Sequence, residues 1–214
     1  MTTLTEEIRQ FTAGAYERLP AGYIDSFRNL IERLIEESFA SNAPKAGDAF
    51  PDFILQDNES KMIKASEYWH DKNLIVKFYR GGWCPYCHLE LVALERYAQE
   101  FAAENTRLFA IAPEKPSFQL ETKKAANANF KFLWDENNRL ARQLGIAFAV
   151  DGNVRNVYLK LNLDLDSVNG EWVLPVPATF IIKNGIVSYS FLDADYMRRQ
   201  EPADLLAAIR TIGH

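Results

Sequence analysis

Two cysteines, three residues apart, are the only thiols in this chain of 214 residues. Cys84 and Cys87 stand within Arg80-Gly81-Gly82-Trp83-Cys84-Pro85-Tyr86-Cys87-His88-Leu89-Glu90. A pair so placed can do thiol redox chemistry. One thiolate attacks a peroxide oxygen or a disulfide sulfur. The second thiol then attacks the resulting sulfenic acid or mixed disulfide and releases the product. With no other cysteine, the chain can form a single intrachain disulfide, Cys84–Cys87. The plainer alternative is a pair of inert, buried thiols.

Other uses of the same residues fare worse. Cys84-Pro85-Tyr86-Cys87-His88 matches the pattern of c-type haem attachment, but neither an export signal nor a helical, haem-enclosing pattern is apparent. A zinc site needs about four ligands at suitable spacing, and His70, His88 and His214 form no second cluster. Asn162, Asp164 and Asp166 superficially resemble a calcium loop. Ser167 stands where the turn glycine belongs, and Val173 where the bidentate carboxylate belongs, so no metal is expected.

The elements around the pair give the thiols a position. Leu74-Ile75-Val76-Lys77-Phe78-Tyr79 is short, partly β-branched and aromatic, and predicts a buried strand. Leu91, Leu94, Ala98 and Phe101 recur at helical spacing and predict a helix to about Ala103. The thiols therefore sit where a strand ends and a helix begins. Unpaired N–H groups and the positive end of the macrodipole favour a thiolate there.

Further strands are expected at Phe53-Ile54-Leu55, Met62-Ile63, Leu108-Phe109-Ala110-Ile111-Ala112 and Phe132-Leu133-Trp134. Two more, Ala178-Thr179-Phe180-Ile181-Ile182 and Ile186 to Phe191, flank Asn184-Gly185, a two-residue hairpin signal. Helices are expected after Ser66, from Pro116, over residues 140–144, and from Glu201-Pro202. Residues 150–172 fit least well; Val154, Tyr158 and Leu161 suit one helical face. This order describes an α/β domain with a central mixed sheet, and a βαβ segment carrying Cys-x-x-Cys at its first turn reads as thioredoxin-like. Leu174-Pro175-Val176-Pro177 precedes a buried strand in such a sheet and would face the cysteine turn. A cis Val176–Pro177 bond is expected there, exposing backbone groups to an extended substrate.

Residues 1–43 form an N-terminal helical hairpin extension, and residues 44–214 the thioredoxin-like domain. Leu4, Ile8, Phe11 and Ala15 make one stripe; Phe27, Ile31, Leu34 and Ile35 make another; Pro20-Ala21-Gly22 breaks between them. The hairpin either covers the main domain or makes a homodimer.

Apolar residues at 48% and charged ones at 25% are ordinary for a globular protein. A net charge of −5 argues against a nucleic-acid partner. No run is long enough for a membrane span. Met1-Thr2-Thr3-Leu4-Thr5-Glu6-Glu7 has no basic region with a following apolar core, so no secretory signal and a cytoplasmic location are expected. In such a reducing compartment a lone cysteine pair is catalytic or metal-binding more often than structural.

Three segments together resemble the AhpC/TSA, or peroxiredoxin-like, branch of the thioredoxin superfamily. They are Ala46-Gly47-Asp48-Ala49-Phe50-Pro51-Asp52-Phe53, Val76 to Cys87, and Pro177-Ala178-Thr179-Phe180-Ile181-Ile182. The resemblance runs from about Pro44 to the C-terminus, and the Pro85-Tyr86 spacer is also similar to that of glutaredoxins. It implies a thioredoxin fold and a cysteine-based oxidoreductase that reduces hydroperoxides. It implies no bound cofactor, only an external thiol reductant such as thioredoxin, glutaredoxin or glutathione. The chain departs from typical members, whose active loop has Pro, then Thr, then the peroxidatic Cys. Those places hold Arg80, Cys84 and Cys87. Glu90 keeps the family's acidic residue. The arginine that typical members carry just before the hairpin strand is here Pro177, and Arg80 is the candidate replacement from the other side of the turn.

Counted as a peroxiredoxin, the attacking residue is Cys87; counted as a thioredoxin, it is Cys84. Position in the turn favours Cys84, as the more exposed residue whose sulfur can accept N–H bonds from the helix start. The leading expectation is a thiol peroxidase, with Trp83, Arg80, Glu90, Val176 and Pro177 supporting the cysteines. A disulfide reductase for protein or glutathione substrates is the alternative, and a non-catalytic dimeric module the third reading.

Overall fold

The strand that leads into the cysteine turn lies inside the sheet, paired on both sides. The computed structural model describes residues 2–70 and 72–213. Met1 and His214, used above for the N-terminus and the histidine count, lie outside the described residues. Strand β3 follows β1 (Ile54–Asp57) and β2 (Met62–Lys64) and spans Asn73–Phe78, with all six residues buried. It pairs in parallel with β4 (Thr106–Ala112), Ile75 opposite Leu108. Parallel strands need a crossover, which α3 (Pro85–Arg96) and α4 (Ala98–Ala103) supply. β4 pairs in parallel with β5 (Lys131–Trp134) after α5 (Pro116–Ala125).

The Asn184-Gly185 hairpin forms as expected, with φ of 53° and 77°. It joins β8 (Ala178–Lys183) to β9 (Ile186–Leu192), and β8 lies antiparallel to β3. Among the described residues the mixed sheet therefore has seven strands, in the order β2-β1-β5-β4-β3-β8-β9.

Side chains alternate across a strand, and β3 uses this. Leu74, Val76 and Phe78 enter a core with Phe50, Phe53, Trp69, Leu140 and Ile146. Ile75, and Tyr79 just beyond the strand, enter the other core, with Leu91, Leu94 and Phe101. Leu205, Leu206 and Ile209 of α9 (Pro202–Gly213) join the latter. Among the described residues no helix is long and apolar enough to cross a membrane.

The N-terminal helices are α1 (Leu4–Arg18) and α2 (Ala21–Glu36), so Gly22 lies inside a helix and the break falls at Leu19-Pro20. The Thr3 hydroxyl caps α1, accepting from Glu6 N–H. Each helix has its own partner. Leu4 and Ile8 join the core of α3, and Arg96 pairs with Glu7 at 2.7 Å. Leu30 and Leu34 of α2 pack with Val154 and Tyr158 of α7 (Gly152–Lys160). Ile35, expected in the buried stripe, is 57% exposed.

Three further expectations are corrected. The helix after the cysteines breaks at Tyr97 (φ −105°, ψ 3°), whose N–H bonds back to Leu94 O and tightens the last turn of α3. The turn after β2 is a short 3-10 turn, Ala65–Glu67, with no side-chain cap. Residues 147–175 contain a second, two-stranded ribbon, β6 (Ala147–Ala149) against β7 (Val173–Pro175). Its strands are three residues each and far apart in the chain, too short for an alternation signal. Between them, α6 (Arg139–Gln143) having preceded β6, lie α7 and α8 (Leu165–Asn169). Asp151 and Asp164 cap these two helices, and Asp166 accepts from Trp172 Nε1 at 2.8 Å. The aspartates once comparable to a calcium loop thus hold helix ends and a tryptophan.

Candidate active site

β3 ends at Phe78, and the chain turns through Tyr79 to Trp83 into α3. Two glycines make that turn passable. Gly81 has φ 150°, and a Cβ there would lie 2.2 Å from Trp83 Nε1. A Cβ on Gly82 would lie 1.9 Å from Thr122 Oγ1 and 2.8 Å from Thr122 Cβ. Thr122 cannot easily retreat: its hydroxyl donates to Glu114 Oε2 at 3.0 Å, within reach also of Phe118 O at 3.0 Å. Gly82 N–H donates to Glu114 Oε1 at 2.9 Å, and Tyr79 OH to Glu114 Oε2 at 3.2 Å. Burial pushes the Glu114 carboxyl up, against these hydrogen bonds. Gly82→Ala is therefore expected to destabilise the protein by about 2 kcal/mol through overpacking at the turn. A chemical-denaturation midpoint equal to that of the parent would contradict this.

Cys84 is the N-cap of α3, with extended φ −86° and ψ 112°, and Pro85 takes the first helical position. Its backbone carbonyl accepts from His88 N–H at 3.0 Å, but its side chain makes no capping bond to the helix start. Cys84 and Cys87 are both 0% exposed, and both are free thiols. The expectation of an exposed Cys84 that accepts helix N–H bonds is overturned. The turn is roofed by Trp83, Tyr86 and the residues facing them, so position at a helix start does not by itself expose a sulfur.

The polar contacts converge on Cys87 instead. Arg80 N–H donates to Cys87 Sγ at 3.5 Å, and Arg199 Nη2 donates to the same sulfur at 3.5 Å. Burial opposes ionisation of Cys87. The hydrogen bond from Cys84 and the guanidinium charges of Arg199 and Arg80 outweigh it and hold the thiol well below the ordinary cysteine value. Burial, the bond it gives Cys87 and the repulsion of that sulfur push Cys84 well above it. The donors and cations around Cys87 thus favour its thiolate form, and the surroundings of Cys84 favour its neutral thiol.

Arg199 is itself anchored. Its Nη1 pairs with Glu90 Oε2, and its Nε donates to Tyr196 O at 2.6 Å. Glu90 Oε1 pairs with Lys77 Nζ at 2.6 Å, and Lys77 also donates to Thr179 Oγ1 at 3.2 Å. Lys77 and Glu90 are each 1% exposed, so this chain of charges runs through the interior from β8 across β3 and α3 to the sulfur. Burial lowers the Lys77 ammonium, and the Glu90 carboxylate beside it pulls it back.

Arg80 was expected to replace the missing arginine. Its hydrogen bond to the sulfur is made by its backbone N–H; its guanidinium acts on the thiol through charge alone and makes its contacts elsewhere. Nη2 donates to Tyr158 OH at 2.8 Å, and the group lies 4.1 Å from the Tyr196 ring centroid and 5.1 Å from that of Trp83. The side-chain cation at the sulfur is Arg199, from the loop before α9. No motif marked it, since only folding brings a residue 112 positions away to Cys87. Lys77 was visible as a charge inside an apolar strand, a signal that it has a buried partner.

Val176 and Pro177 are buried. The described residues contain no cis peptide bond, and Val176 N–H donates to Ile146 O at 2.8 Å. The expected cis Val176–Pro177 bond with a free backbone edge is not formed, because this segment continues the β6–β7 ribbon and its donor is already used. Val176 joins the cluster on which Trp83 rests. Among the described residues no three His, Cys, Asp or Glu side chains gather as a metal site.

A model of the AhpC/TSA family matches residues 46–190. Peroxiredoxin Bcp of Escherichia coli (strain K12) is 25% identical over 105 residues, covering 49% of this chain and 67% of that protein. The chloroplastic peroxiredoxin Q of Oryza sativa subsp. japonica is 23% identical over 146 residues, covering 68% of this chain and 58% of that protein. Among solved structures, peroxidoxin BcpB from Mycobacterium tuberculosis superposes with a TM-score of 0.63 at 22% identity, over 79% of this chain and 98% of that one. Peroxiredoxin Q of Xanthomonas campestris gives 0.59 at 15% identity, over 81% and 100%. The superpositions speak for the fold, and the family match covers most of the chain, including both cysteines and the hairpin strand. With its thiols carried at the first turn of a thioredoxin-like βαβ unit, this chain belongs to the AhpC/TSA family, as a peroxiredoxin-like thiol peroxidase.

Proposed function

We propose that the protein reduces a hydroperoxide with Cys87 as the attacking thiolate and Cys84 as the resolving thiol. The observation that carries this is the convergence of Arg199 Nη2 and Arg80 N–H on Cys87 Sγ, each at 3.5 Å. Cys87 sulfur attacks the terminal peroxide oxygen, the O–O bond breaks, and the departing alkoxide takes a proton to leave as the alcohol. Cys87 is then a sulfenic acid. Cys84 sulfur attacks it, water leaves, and the Cys84–Cys87 disulfide forms. An external dithiol or two monothiols, of the thioredoxin, glutaredoxin or glutathione type, return the pair to thiols.

The N-cap position of Cys84 supports the resolving role. Its carbonyl holds the first turn of α3 by accepting from His88 N–H, while its thiol makes no capping bond and already hydrogen-bonds Cys87, so the sulfur is within reach of its partner without moving the helix. Trp83, Glu90, Val176 and Pro177 hold the turn in this reading; they do not touch peroxide.

A second reading, reduction of protein or glutathione disulfides, is favoured by the same short reach between two cysteines in one turn. The deciding measurement is stopped-flow oxidation of the reduced protein by hydrogen peroxide, by an alkyl hydroperoxide and by a model disulfide. Fast peroxide consumption is expected. Fast disulfide reduction with no peroxide rate would replace the first reading by the second.

A further inference from the structure

A cavity of about 470 Å³ lies between α1, the first turns of α2, the residues just after α7 and the cysteine turn. Small-molecule sites occupy roughly 300–1,000 Å³. Phe11, Leu19, Phe27 and Leu161 give it an apolar wall. Its lining holds two cations, Arg18 and Arg80, and no aspartate or glutamate, in a chain whose net charge is −5.

Arg80 is the unusual member. It is 3% exposed, and among the described residues it has no carboxylate partner. Its one side-chain hydrogen bond goes to the Tyr158 phenol, whose own pKa burial holds up at about 12. Nε and Nη1 are buried without a partner, as is Trp83 Nε1. The rings of Tyr196 and Trp83 stabilise the guanidinium charge across its face, but ring faces accept nothing from the in-plane N–H groups of Nε and Nη1. Arg199 at Cys87 shows the contrast: its three nitrogens go to Glu90, Cys87 and Tyr196 O. A buried cation with unmade hydrogen bonds is costly, and an acceptor anion relieves that cost.

We propose that this cavity is the binding site for an organic carboxylate with an apolar tail. Arg80 donates to the carboxylate, the wall built by α1 and α2 takes the tail, and Arg18 in the lining attracts the charge. The site needs neither thiol reactivity nor the choice of Cys87 as nucleophile, so it stands or falls separately from the peroxidase reading.

Isothermal titration of the full-length reduced protein with octanoate and with octanol tests it, repeated on the Cys84→Ser/Cys87→Ser protein. Octanoate is expected to bind at least about tenfold more tightly than octanol, in both proteins. Arg80→Gln is expected to weaken octanoate about tenfold or more and octanol little. Because Arg80 is buried, Arg18→Glu on the exposed face of α1 is the second variant, expected to weaken octanoate about two- to fivefold without altering circular dichroism. Absence of octanoate binding at millimolar concentration, equal affinity for octanol, or indifference to both substitutions would overturn the proposal.

Discussion

Replacing Cys87 by serine is expected to lower the rate of hydroperoxide consumption by roughly a thousandfold or more, since the proposed mechanism loses its attacking atom. Cys84→Ser, in contrast, is expected to keep one rapid turnover per chain and then stop with Cys87 as a sulfenic acid. The reason lies in the environment of the two sulfurs. Cys87 Sγ receives Arg80 N–H and Arg199 Nη2 at 3.5 Å, while among the described residues no donor reaches the Cys84 sulfur, which is pushed toward the neutral thiol. Stopped-flow fluorescence with a single equivalent of peroxide, followed by trapping of the sulfenic acid with a dimedone-type reagent and mass spectrometry, separates the two. A burst that survives Cys87→Ser and disappears in Cys84→Ser would return the nucleophile to Cys84.

The second large effect is expected at Arg199. Arg199→Met removes the cation shared by Cys87 and Glu90, leaving Glu90 in the interior with Lys77 alone. Breaking one member of a buried ion network costs about 3 kcal/mol or more. The variant should also move the pH profile of Cys87 alkylation to higher pH, because the charges that held the thiol down, after the bond from Cys84, are led by Arg199. Arg199→Lys restores charge without the planar fork and is expected to fall between the two.

The sign of the stability effect follows from linkage. A depressed thiol pKa adds stability that is complete above the unfolded-state value and is lost as pH falls through the folded value. The parent protein should therefore lose stability on acidification through that interval, and Arg199→Met should lose less of it. Cys84, whose pKa is raised, acts in the opposite sense: its contribution is present below the unfolded value and is lost as pH rises through the folded one. Alkylation rates and denaturation midpoints across pH, for parent and variant, test both statements. An unchanged alkylation profile in Arg199→Met would show that Arg199 does not tune the sulfur.

Much of this molecule is written locally. The apolar run ending at Tyr79 and the Asn184-Gly185 turn are short-range signals that form the elements they predict, and the helical spacing after Pro85 forms a helix that breaks at Tyr97. Two cysteines and nothing else thiol-bearing restrict the redox chemistry to one pair. The motif around them also carries the family, because a strand-to-helix turn with Gly81 and Gly82 is a backbone requirement visible in residue types.

What the sequence could not decide is which sulfur is charged. Ionisation of a buried thiol depends on the electrostatics within a few ångströms, and those neighbours come from distant segments: Glu90 from α3, Lys77 from β3, Arg199 from the loop before α9. Local reasoning placed Cys84 at the favourable helix end and missed that the tertiary packing buries it. It also read Pro177 as the loss of an arginine, whereas the fold brings another arginine to the sulfur by a different route. Spacing along the chain thus determined that two thiols stand where a buried strand passes into a helix; only the packed interior, with its low dielectric and its unequal donors, gave the two sulfurs different surroundings.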